Sequence, residues 1–138
     1  MTVKAIVCRK GTDVVTIDPT ASLASAAKTL ATHRIGAVII TGADRQVVGI
    51  LSERDIVRAL AERGSSALEE PVGQVMTRKV MTCSERDTVG EIMERMTAGK
   101  FRHLPVVERG RLAGDVVKYR LEQMEHESKA LHEYILTA

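Results

Sequence analysis

Ser52 and Asp55 are the pair in this 138-residue chain whose types and spacing point most directly to chemistry. They close the stretch Gly49-Ile-Leu-Ser-Glu-Arg-Asp55, where an apolar run that reads as the end of a buried strand meets the Ile56, Val57, Leu60 pattern of a helix. A strand that hands over to a helix leaves the first N–H groups of the helix without intrahelical partners and puts the positive end of its dipole there. An anion fits such a place. The same Ser-x-x-Asp also fits a capping box, in which hydroxyl and carboxylate satisfy the helix start themselves. From these residues alone the cap is the stronger reading.

No other constellation asks for catalysis. His33, His103, His126 and His132 lack the His-x-x-x-His or Glu-x-x-His spacing of a zinc site, and Cys8 and Cys83 stand far apart without a CxxC. Ser52 is not in a Gly-x-Ser-x-Gly elbow, and neither a Gly-x-Gly-x-x-Gly nor a P-loop is present. No catalytic residue, metal or required cofactor is expected, and binding is the class that remains.

Composition sets the frame for the elements that must position this pair. Apolar residues make up 44% of the chain and charged residues 28%, which suits a soluble globular protein of one compact unit or two small subdomains sharing a core. Phe101, Tyr119 and Tyr134 are the only aromatics, so the core is aliphatic and base-stacking surfaces are not expected. The net charge of +2 is spread without a basic block, so nucleic acid is not expected as a partner. Unpaired cysteines suit reduced, partly buried thiols and a cytoplasmic location. Neither a signal peptide nor a membrane-spanning run is expected.

Taken in order, the chain reads strand, helix, strand, strand, helix. Asp13–Ile17 has strand character; Thr20 or Ser22 caps a helix with Leu23, Ala26, Ala27 and Leu30 on one face, and Gly36 marks its end. Ala37–Ile40 and Val47–Leu51 are apolar strands, and a second helix carries Ile56 to about Arg63 before Gly64-Ser-Ser66. After a polar linker, Glu69–Gln74, the pattern repeats. Val80–Cys83 matches Val14–Ile17, while Val89, Ile92, Met93 and Met96 match the first helix face, with Thr88 and Glu91 as a capping box. Phe101–Val107 matches Ile35–Thr41, and Glu108–Arg111 is the equivalent turn.

The second copy is shortened at its last strand. Aligning Gly49 with Gly114 and Asp55 with Asp115 leaves no counterpart to Ile50–Arg54, which predicts a short, irregular edge with Asp115 as helix N-cap. A long last helix follows, with Val117, Leu121, Met124, Ser128, Leu131 and Ile135 on one seam. It either packs on its own subdomain or reaches a second protomer.

The duplicated unit, the Gly49–Asp55 motif, Phe101-Arg-His-Leu-Pro-Val-Val107 and Val75-Met-Thr77 together resemble a tandem cystathionine-β-synthase (CBS) domain protein of the stand-alone bacterial type. The resemblance implies an α/β (α+β) fold of two pseudo-twofold-related subdomains, each β-α-β-β-α, at residues 1–70 and 71–138. It also implies a homodimer and an adenosine-bearing ligand, AMP, ATP, NAD(H) or S-adenosylmethionine, bound between the copies. Asp55 would then accept from ribose hydroxyls, and Ser52 with the helix start would hold phosphate. Arg54 would add charge or lie in solvent, Thr16 would line the cleft, and Ile35, Ala37 and Val38 would flank adenine with apolar surface and backbone groups. In the second copy the matching positions are Thr82, Phe101, His103, Leu104 and Asp115. The phosphate-binding Ser or Thr has no counterpart there, so that cleft is expected to be lost or weakened. The function implied is nucleotide sensing that alters packing and the contacts of a separate regulated protein. The alternative is a dimeric scaffold that binds no ligand.

Overall fold

The computed structural model describes residues 2–7, 9–10, 14–99 and 103–117. Helix α2 (Leu23–His33) forms where the apolar spacing places it, burying Leu23, Ala26 and Leu30. Ser22 is its cap, accepting from the Ser25 N–H at 3.1 Å. The far end is closed by Arg34 and not by Gly36. Arg34 adopts φ 54°, and the N–H groups of Arg34 and Ile35 reach back to the carbonyls of Ala31 and Leu30. Glycine is the usual residue for such a cap. Here the satisfied carbonyls offset the strain, and Gly36 gives its own carbonyl to the Glu53 N–H at 2.9 Å.

The first sheet runs β2-β3-β4, with β2 (Thr16–Ile17) parallel to β3 (Ala37–Thr41) and β3 antiparallel to β4 (Val47–Ser52). The strand expected over Asp13–Ile17 pairs only at Thr16 and Ile17; residues 11–13 lie outside the described ones. Helix α3 (Glu53–Arg63) follows β4 without a loop and ends in a 3-10 turn over Gly64–Glu69. Val38, Ile40 and Leu51 of the sheet pack with the buried faces of α2 and α3 into the first core.

In the second copy, α5 (Val89–Gly99) starts in the expected box: Thr88 N–H donates to Glu91 Oε2 and Glu91 N–H to Thr88 Oγ1. β5 (His103–Glu108) and β6 (Arg111–Val117) form a hairpin whose Arg109-Gly110 turn has positive φ at both residues, which suits the right-handed twist of the strands. Val80–Cys83 is not a strand like its counterpart. It touches the sheet through Cys83 alone, which bridges to Val106 in parallel sense.

The expected short edge is corrected as well. β6 is seven residues long and Asp115 lies inside it, opposite Pro105, so Asp115 caps no helix. The reason lies in the ladder. A buried β5 needs a partner along its length, and the shortened chain supplies one by drawing Asp115, Val116 and Val117 into the strand. Register then aligns Asp115 with Ile50, since Ile50 faces Ile39 as Asp115 faces Pro105. Val117, expected on the seam of the last helix, is a strand residue; the rest of that helix lies outside the described residues.

The segments leading into the two copies are exchanged. α1 (Val3–Ile6) belongs to the second core, where Val3 packs with Cys83, Ile92, Met96 and Leu104, and Thr2 bridges to Thr88. β1 (Arg9–Lys10) adds to the outer edge of β6. In the same way, α4 (Val72–Val75), overlapping the expected Glu69–Gln74 linker, buries Val72 in the first core, Pro71 bridges to Ser22, and Thr77 pairs with Ile50 on the outer edge of β4. Between the sheets, Val14, Ile39 and Leu112 form a third cluster with Val47 packed on it. Gln46 bridges to Arg111, its own equivalent by register, which puts the pseudo-twofold between them. An exposed ion pair between Asp44 and Arg111 lies at the same place.

Cys83 sits in the second core, and burial, with the negative charge of Asp87, pushes its thiol up to about 12. The folded chain therefore keeps a proton that the unfolded chain gives up near the ordinary value of 9.0. The stability from this group is full below about pH 9 and is lost as pH rises toward about 12. In a Cys8→Ala background, native Cys83 is expected to react with Ellman's reagent at pH 8 on the order of a hundredfold more slowly than in denaturant. Equal rates would contradict its burial.

Candidate functional site

The handover at Ser52 is a complete capping box. The Asp55 N–H donates to Ser52 Oγ at 3.2 Å, while Asp55 Oδ2 accepts from the Ser52 N–H at 3.0 Å and the Ser52 hydroxyl at 3.2 Å. Asp55 is 6% exposed, and a buried carboxylate is held in place by such partners and by the helix dipole. Arg58, largely exposed, stands 3.9 Å from Asp55 Oδ1, a screened contact worth little. With the Glu53 N–H given to Gly36, two of the first three amides of α3 are committed within the protein.

Register decides which of the expected residues share a face with this box. Paired residues on neighbouring strands point to the same side of a sheet. Thr16 is opposite Ile39, which is opposite Ile50, and Ala37 is opposite Ser52. These five line the side turned away from α2 and α3, where Ile39 meets Leu112 of the second copy. Thr16 is exposed, while Ala37 and Ser52 are half-buried. Val38 points the other way, into the first core beside Leu51, and Ile35 packs against that core too. The side chain of Val38 therefore cannot flank a ligand; alternation along β3 rules it out. Arg54 is exposed on the first turn of α3.

In the second copy, Leu104 is buried in the second core for the same reason as Val38, and Thr82 is exposed. His103 occupies the register position of Ala37, and Val117, opposite it, that of Ser52. Asp115 stands where the first copy has Ile50, not Asp55. Phe101 lies outside the described residues.

Two contributors were missed by sequence reasoning, Met76 and Thr77. The Thr77 N–H and carbonyl pair with Ile50 at 2.9 and 3.0 Å, and Thr77 Oγ1 lies 3.4 Å from both oxygens of Asp55. A Cβ on Gly49 would come within 2.5 Å of Met76 Sδ and 3.0 Å of the Thr77 carbonyl, so the glycine lets this segment approach. The signal available was Val75-Met-Thr77 itself, a recurring segment with no assigned place.

This arrangement is a duplicated α/β unit that, among the described residues, gathers Ser52, Asp55 and Thr77 at the edge of its first sheet. Residues 3–62 and 72–120 match the CBS domain family, and the chain belongs to it. A CBS-domain containing protein of Agrobacterium tumefaciens is 46% identical, with a TM-score of 0.78 over 88% of this chain and 91% of that one. A CBS domain pair solved with 5′-methylthioadenosine and S-adenosyl-L-methionine is 26% identical, with a TM-score of 0.80 over 93% of this chain and 98% of that one. A third, solved with AMP, shares the fold at 20% identity, with a TM-score of 0.82 over 93% and 98%. The chain spans between 22% and 63% of the length of the curated relatives it matches.

Proposed function

We propose that this chain is a regulatory module that binds an adenosine-bearing ligand in the cleft between its copies, beside Ser52 and Asp55, and passes the event to a partner through the packing of its two copies. The carrying observation is the buried Asp55 carboxylate at the end of a face that also carries Thr16, Ala37 and Ser52 beside half-buried, apolar Ile50. An ionised carboxylate accepts two ribose hydroxyls well, and the apolar surface suits a purine. Ala37 flanks the base, while Ile35, packed against the first core, and Val38 contribute backbone only. Phosphate is held at the start of α3 beside Ser52, whose own proton stays on Asp55, with Arg54 supplying charge. Solved relatives bind S-adenosylmethionine, methylthioadenosine or AMP, which supports the ligand class. The role is binding and not catalysis.

The second cleft is lost or weakened in this reading, because Val117 stands where Ser52 does in the first copy and Asp115 replaces Ile50. A homodimer, a separate regulated protein and a cytoplasmic location belong to the same reading. No helix among the described residues is long and apolar enough to cross a membrane. One observation favours the alternative of a scaffold without ligand: Ser52 and Asp55 already satisfy each other, as a purely structural cap requires.

A thermal-shift screen against AMP, ADP, ATP, NAD(H) and S-adenosylmethionine separates the two. At about a hundred times its dissociation constant, a true ligand adds roughly 2.7 kcal/mol of stability, and calorimetry should give one site per chain. No shift with any of them would hand the case to the scaffold.

A further inference from the structure

Asp55 has a third partner, and it comes from the segment that leads into the other copy. Thr77 Oγ1 lies 3.4 Å from Oδ1 and 3.4 Å from Oδ2, a hydroxyl shared between both oxygens of one carboxylate. We infer that Thr77 is a further residue of the Asp55 site, and that its hydroxyl is the group a ribose diol displaces when it takes up the carboxylate. The inference rests on the reading that an adenosine ligand binds at Asp55.

The arithmetic of acceptors carries it. An ionised carboxylate offers about four lone-pair sites. Oδ2 receives the Ser52 N–H at 3.0 Å and the Ser52 hydroxyl at 3.2 Å, and the single Thr77 proton, with Oγ1 3.4 Å from each oxygen, is shared between Oδ2 and Oδ1, so about one site stands open. A diol needs two of those sites. The Ser52 N–H cannot leave without undoing the start of α3, and the Ser52 hydroxyl must stay near to cap the Asp55 N–H. The contacts from Thr77 are the longest of the set, and 3.4 Å lies beyond the usual range for a hydroxyl donor. Thr77 is also exposed, so its displaced hydroxyl goes to water at little cost.

The displaced hydroxyl does not go far. Its backbone stays paired with Ile50 at 2.9 and 3.0 Å, and Met76 stays against Gly49. Thr77 is thus a tethered competitor, always within reach of the carboxylate, and it sets ligand affinity below what the face alone would give. Because Thr77 precedes the second copy, its release marks occupancy of the first site on the segment that joins the two.

The test is calorimetry on the full chain with AMP and with 2′,3′-dideoxyadenosine monophosphate, comparing wild type, Thr77→Val and Thr77→Ser. Removing one long competing hydrogen bond is expected to tighten AMP binding about threefold in Thr77→Val. Thr77→Ser keeps the hydroxyl and is expected within about twofold of wild type. The dideoxy nucleotide has no diol to claim Asp55, so the valine variant should leave its binding unchanged. A valine variant that binds AMP no better than wild type, or gains equally with the dideoxy nucleotide, overturns the role of Thr77. Thr77→Ala replaces the valine variant should that one fail to melt cooperatively. A wild-type chain that binds no adenosine ligand overturns the inference together with the reading beneath it. That result is distinct from a chain that binds AMP but ignores the change at Thr77.

Discussion

Asp55→Ala is expected to weaken AMP binding by on the order of a hundredfold while leaving the chain folded. Hydrogen bonds to a charged group contribute about 1.5–3 kcal/mol each, and a diol loses two of them when the carboxylate goes. The same substitution opens the capping box, because the Ser52 N–H loses its acceptor at 3.0 Å. Loss of a cap costs about 0.5–2 kcal/mol, small beside the stability of an ordinary domain. Burial keeps these contacts from being screened, since Asp55 is 6% exposed. Calorimetry reads the affinity and urea titration reads the cap. An alanine variant that binds AMP like the wild type would sink the ligand reading at this junction and leave Asp55 a cap.

Leu51→Ala and Leu104→Ala should each lower stability by about 3 kcal/mol, because both side chains are fully buried and truncation leaves a cavity. Leu51 is in the first core and Leu104 in the second. If the copies were independent, each variant would split unfolding into an early and a late step. The exchanged segments say otherwise: Val3 cannot leave the second core, nor Val72 the first, without disturbing the chain that leads into the opposite copy. One transition, shifted as a whole, is therefore expected by far-UV circular dichroism in urea for both variants. Two separated transitions would show that the exchange does not bind the copies together.

Much of this was legible in local pattern. The face of α2, the boxes at Ser52 and Thr88 and the Glu108–Arg111 turn depend on residues within a few positions of each other, and the structure has them where their spacing puts them. What escaped depends on partners far along the chain. Thr77 reads only as part of the Val75-Met-Thr77 segment until its pairing with Ile50 is known, and Arg34 takes a glycine's conformation because two carbonyls behind it need donors. Asp115 was misplaced for a different reason. Matching its identity to Asp55 assumed that missing residues shorten a strand, whereas the pairing needs of β5 recruit the next residues into it. The face-sharing residues of the site follow from alternation along β3, which assigns Ala37 outward and Val38 inward once the helices fix the core side.

The exchanged segments also order events during synthesis. Val3 is made long before Ile92 and Leu104, the residues that bury it, whereas Val72 emerges soon after the sheet and helices it completes. Folding during synthesis can close the first core while the second is still being translated. Through that interval α1 waits as an apolar thread on the ribosome-bound chain, with the cost of its eventual loop closure growing only as the logarithm of the length added.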